Sequence, residues 1–75
     1  MNRSSSEYTA LRQRVLDLSW YIQKHFGWSE NNVKIWLNLN NLIFKGKKPM
    51  QLFMENNGMT VWGYVHLCKE VGKDL

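Results

Sequence analysis

The feature that most constrains this chain is a spacing. Leu11, Val15, Leu18, Ile22 and Phe26 recur at intervals of three or four residues and stop at Gly27. At 100° per residue these side chains fall within about 80° of one another, the stripe of a helix packed on one side and wet on the other. A half-buried strand would need apolar and polar residues to alternate, and no segment does so cleanly. The helix is expected to start at Ser5 or Ser6. A serine oxygen there can cap an orphan amide, and Glu7 suits the positive end of the dipole. Gly27 ends it, because glycine accepts the left-handed backbone that follows a helix. The polar stretch before it, residues 1–6, is expected to fray.

The same signals divide the rest. Ser29 caps a second helix running to about Asn40. Val33, Trp36, Leu37 and Asn40 share one face, and Ile35 and Leu39 lie roughly opposite. A helix apolar on both sides is either sandwiched in the core or touches a partner. The loop "NNLIFKGKK" is too apolar to be simply solvated, so at least one of Leu42, Ile43 and Phe44 must tuck inward. Lys48 precedes Pro49 and is pushed toward an extended backbone, and Pro49 suits the first position of a helix. That third helix runs to about Asn57, with Met50, Phe53 and Met54 as its stripe and Leu52 beside it. Gly58 stops it. Thr60 caps a fourth helix reaching Val71, with Val61, Tyr64, Val65, Cys68 and Val71 on one side and Trp62, His66, Lys69 and Glu70 on the other. Gly72 ends it and "KDL" trails off. The expected fold is all-α, a small bundle of four short helices forming a single domain over residues 1–75.

Composition narrows the function. The formal charge of +4 divides evenly between residues 1–28 and 29–75 and forms no basic tail. Nucleic acid, an acidic protein or plain solubility would each account for it. A single cysteine, Cys68, forms no internal disulfide and implies no oxidising compartment. No apolar run is long enough to cross a membrane, and the start lacks the apolar core of a signal peptide. The expected location is the cytoplasm of the host cell.

Catalysis finds little support. "KGKK", Lys45 to Lys48, precedes a helix start, where an anion could dock. A nucleotide-binding loop needs a second glycine and a preceding strand, and both are missing. His66 and Cys68 point about 160° apart on a helix, a poor start for the four ligands of structural zinc. With His25 they are the only soft ligands. The serines serve as caps or cluster at the start, so no nucleophile sits with a base and an orienting acid. The chain reads as a non-enzyme without a cofactor or metal.

Aromatic residues carry the stronger signal. Four tryptophans in 75 residues supply more ring area than a thin core readily absorbs. Trp20 lies about 180° from the first helix's stripe, with Leu16 one turn before it on the same outer side. Trp62 sits at the edge of the fourth helix's apolar side. The expected partner-binding residues are therefore Leu16, Trp20 and Trp62, with Lys45, Lys47 and Lys48 orienting an acidic protein target. The Leu16–Trp20 pair could equally form the seam of a homodimer. The alternative is a small helical DNA-binding regulator reading bases through the second or fourth helix. Lys34 with Asn31, Asn32 and Asn38 favours it most, but neither helix carries a full base-reading set.

One stretch resembles a known family. Trp36 and Leu37, then Asn40, then apolar Ile43 or Phe44, then "GKKPMQLF" from Gly46 through Pro49 to Phe53, are similar to the toxin-binding domain of the MbcA/ParS/Xre antitoxin family. Gly58 and one further helix close that pattern, which covers about residues 30–72. The resemblance implies a small helical domain that binds and neutralises a NAD-consuming toxin of the RES type. Only one helix precedes this region, where the family often has a DNA-binding helix-turn-helix. A reduced relative encoded by a phage or mobile element is the reading this implies.

Overall fold

The computed structural model describes the backbone of residues 3–75 and the side chains of residues 7–75. Four helices follow one another: α1 Arg3–Phe26, α2 Glu30–Leu37, α3 Pro49–Asn56 and α4 Met59–Val71. A 3-10 turn, Leu42–Phe44, lies between α2 and α3. Among the described residues the only extended pairing is an isolated bridge between Asn41 and Lys47. The all-α bundle expected from the spacing is the observed architecture. None of the described helices is long and apolar enough to cross a membrane.

Helix α1 is the spine, against which α2, α3 and α4 all pack. Its 24 residues span about 36 Å at 1.5 Å per residue, most of the molecule's 43 Å long axis. Its stripe faces the core as expected. Leu18 and Ile22 are fully buried, and Leu11, Val15 and Phe26 are partly covered against them. The start differs from expectation. Arg3–Ser6 are already helical, so neither Ser5 nor Ser6 is the cap, and Met1 and Asn2 lie outside the described residues. Serine is a tolerable helix residue, and the stretch of "RSSSEY" contains no glycine or proline to interrupt it.

Helix α2 begins where Ser29 predicts, its hydroxyl accepting from the Asn32 amide at 3.1 Å. It stops at Leu37, three residues before the expected Asn40. The side chain of Asn38 donates to the Lys34 carbonyl at 2.8 Å, competing at the helix end for a backbone acceptor. Asn40 instead donates from its amide to the Gly46 carbonyl at 2.8 Å, and Asn41 caps the 3-10 turn by accepting from the Ile43 amide at 3.0 Å. Lys45 and Gly46 are both left-handed, which closes the loop tightly enough for the bridge between Asn41 and Lys47. Of the three apolar loop residues, Phe44 tucks inward and pins the loop. Leu42 is 91% exposed.

Pro49 opens α3, after an extended Lys48 whose amide donates to the Gln51 side chain at 3.0 Å. Phe53 is buried as expected. The second core residue is Leu52 rather than Met54, which is 72% exposed. The turn to α4 holds two successive left-handed residues, Asn57 and Gly58. Gly58, not Thr60, is the residue before α4, so the fourth helix starts two residues earlier than its capping chemistry suggested. A Cβ on Gly58 would sit 2.3 Å from the Phe53 ring, so glycine is required there for space as well as for its φ of +78°. Val61, Val65 and Cys68 complete the core, while Val71 at the end of α4 is exposed. The tail does not trail off. Trp28 donates from its indole to the Asp74 carboxylate at 3.1 Å, and the Tyr64 hydroxyl reaches the Leu75 carbonyl at 3.4 Å.

Candidate docking surfaces

The motif residues turn out to build the scaffold. Trp28, Trp36, Phe44 and Tyr64 form a chain of edge-to-face rings, with centroids 6.2, 6.2 and 5.5 Å apart. That chain runs from the α1–α2 connection through the 3-10 turn to α4, and such pairs add stability beyond the area they cover. Leu37 and Phe53 are core. Asn40 and Gly46 close the loop, Pro49 starts α3, and Gly58 turns the chain over Phe53. Burial raises the Tyr64 hydroxyl to about 12, helped by a hydrogen bond to Cys68 and by the charges of Cys68 and Asp74.

The residues expected to meet a partner do not form one patch. Leu16 and Trp20 stand exposed on the back of α1, with the Lys24 ammonium 4.7 Å over the Trp20 ring. Trp62 is half-buried, and its ring meets Tyr21 of α1 edge-on at 5.5 Å. Lys45, Lys47 and Lys48 lie in the loop before α3. Lys47 is already held by both Glu55 oxygens at 3.0 and 2.9 Å, leaving Lys45 and Lys48 as that loop's more available cations. An exposed pair of this kind adds little stability, though it does fix the direction of the lysine.

A broader apolar surface lies on α2 and just past its end. Ile35, on the side away from Val33 and Leu37, and Leu39, two residues beyond the helix, are 50% and 59% exposed. With half-buried Trp28 and Trp36 and with Asn32 they line a shallow groove of about 270 Å³. Leu42 and Ile43 follow directly in the chain and are also exposed. The only charged pair on this helix, Lys34 with Glu30, is an exposed i,i+4 contact at 3.8 Å. No family model, curated protein or solved structure matches this chain. The surface must be read from its own chemistry.

Three further features were not foreseen. Among them is a cleft of about 540 Å³ between the start of α1 and α3, lined by Tyr8, Leu11, Phe53 and Met54. The second is a cluster at the α1–α4 seam, where Tyr21 touches His25, Trp62 and His66. The third is the clasp of Trp28 on Asp74. The i,i+4 spacing of Tyr21 and His25 was visible in the sequence, but the register that lays α4 beside them was not. Among the described residues no three metal-ligating side chains converge.

Proposed function

We propose that this protein is a non-enzymatic protein-binding module that docks on a protein target through the outer side of α2 and the 3-10 turn. The observation that supports this reading is the exposure of Ile35, Leu39, Leu42 and Ile43 on consecutive elements beside two half-buried indoles. Isolated exposed apolar residues are ordinary, whereas a contiguous set flanked by tryptophans has the make-up of an interface centre. Lys45 and Lys48 at the following turn would favour an acidic rim on the target and speed its approach. The narrower reading is antitoxin-like inhibition, in the bacterial cytoplasm, of a NAD-consuming toxin. It rests on the residue pattern from Trp36 to Gly58 and on the scaffold role those residues play.

The test uses the tagged full chain, expressed in the cell that encodes it, as wild type and as Ile35→Asp with Leu39→Asp. Both positions are exposed, so helicity and melting should be preserved while a specific partner is lost. Equal recovery of that partner by both proteins would refute the reading. Sedimentation of the purified chain decides whether a second copy covers the surface instead: a dimer abolished by the same substitutions would replace a foreign target with self-association.

A further inference from the structure

We infer that the seam between α1 and α4 is a binding surface for single-stranded nucleic acid, independent of the α2 surface. Two kinds of group meet there. The first is aromatic. Trp62 and His66 stack at 5.4 Å with their planes 27° apart, and His66 is exposed at the outer end of that stack. Tyr21 braces the pair from α1 at 5.5 and 4.9 Å, and its hydroxyl lies 3.3 Å from Nδ1 of His66. Trp20, the residue before Tyr21, lies outside this seam on the back of α1, where its ring holds Lys24 at 4.7 Å. Bases stack on such rings whatever their identity, because every base has a π-face.

The second kind of group is cationic. Lys69 of α4 and Lys24 of α1 both lie close enough to His25 for their charges to act on it. Asp74 lines one hollow with His25, Lys69 and Lys73, and its carboxylate is held by the Trp28 indole at 3.1 Å. Asp17 accepts from the Gln13 amide at 2.9 Å. Glu70 borders the seam one turn beyond His66. A phosphate backbone passing between Lys24 and Lys69 would relieve the mutual repulsion while its bases reached the rings. Duplex DNA keeps its bases stacked on one another and offers only the phosphate half of this recognition. None of the residues that meet there, Tyr21, Lys24, His25, Trp62, His66 and Lys69, is an arginine, asparagine or glutamine that reads base edges, so binding is expected to be tolerant of sequence.

The test is quenching of tryptophan fluorescence by an oligothymidylate of about a dozen residues, with duplex DNA, heparin and polyglutamate as competitors. Two or three phosphate contacts on a single strand give a log–log salt slope of about −1.4 to −2.1. Affinity should therefore fall about seven- to twentyfold between about 50 and 200 mM salt. His66→Ala should weaken binding about fivefold or more through lost stacking. Lys24→Gln with Lys69→Gln should flatten the salt slope. All three positions are exposed, so these variants should keep the wild-type circular dichroism, whereas Trp62→Leu risks the fold. Absence of saturable quenching at the lower salt overturns the inference. Heparin binding that matches the oligonucleotide's, with His66→Ala unaffected, reduces the seam to bare charge and overturns it as well. Displacement by polyglutamate at equal concentration would assign the seam to an acidic protein instead.

Discussion

The two sides of α2 differ in fate though scarcely in composition. Val33 and Leu37 are sealed, at 0% and 2% exposure, beneath α1 and α3. Ile35 on the other side and Leu39 just past the helix end, of the same chemical type and two residues removed in each case, are half bare. Hydrophobicity alone therefore does not place a residue in this core. The other three helices can cover one side of a helix only eight residues long, and the opposite side stays wet unless another molecule arrives. The contrast teaches where to look for function: the residues whose burial would cost nothing new in the fold but would gain from a partner.

The comparison can be broken most forcefully from inside. Leu37→Ala should lower stability by about 2–5 kcal/mol through lost transfer energy and an unfilled cavity. That is a large part of the roughly 4–11 kcal/mol expected for a domain of this length. Urea unfolding followed at 222 nm reads it directly. Leu39→Ala, two residues away, sets the opposite limit given below.

Next in size is Gly58→Ala, at the turn that holds Phe53 against α2 and α1. A methyl 2.3 Å from that ring, on a residue with φ +78°, should cost about 2–4 kcal/mol. A thermal melt within a few degrees of wild type would mean that the turn is not rigid. A smaller effect is expected at the tail. Asp74→Ala removes the acceptor for the Trp28 indole, an exposed hydrogen bond contributing about 0.5–1.5 kcal/mol. Because Trp28 is one wall of the outer groove, the same change should shift that indole's NMR signal without disturbing Leu37.

Acid should act at the seam between α1 and α4. Loss of water around the His25 ring, then the charges of Lys69, Lys24 and His66, holds this histidine below its ordinary 6.5. Tyr21 and Lys24 face it from α1, and His66 and Lys69 from α4. The unfolded chain binds its proton at 6.5 and the folded chain resists. The contribution of His25 to stability is thus fully present above pH 6.5 and is lost as pH falls through the lower folded value. The melting temperature should drop across that range, and His25→Gln should reduce the drop. The smallest effect closes the comparison: Leu39→Ala should change stability by no more than about 0.5 kcal/mol. A loss like that of Leu37→Ala would show that the chain just past α2 is core as well.

Much of the fold was legible because helical spacing and chain punctuation act locally. The α1 stripe, the Ser29 cap, the inward turn of one loop residue and the Pro49 start all follow from residues within a turn of one another. What failed depended on tertiary position. Leu52 rather than Met54 faces the core because the Asn57–Gly58 turn sets the roll of α3 against α4. Asp74 and Leu75 are drawn in by Trp28 and Tyr64, groups at least eleven residues away in the chain. For the candidate surface, the two-sided apolar pattern of α2 was visible, but which side α1 and α3 would cover was not. Trp20 showed its exposure in the sequence, whereas Trp62 has half its ring spoken for by Tyr21 and His66.

The most direct test of the central claim places a photo-crosslinking phenylalanine analogue at position 39 in one protein and at position 67 in another, since Leu39 and Leu67 are almost equally exposed, at 59% and 58%. After illumination in the encoding cell, position 39 should give a discrete protein adduct that disappears when Ile35→Asp is added, and position 67 should give none. Adducts of equal yield from both positions, or none from position 39, would contradict the account.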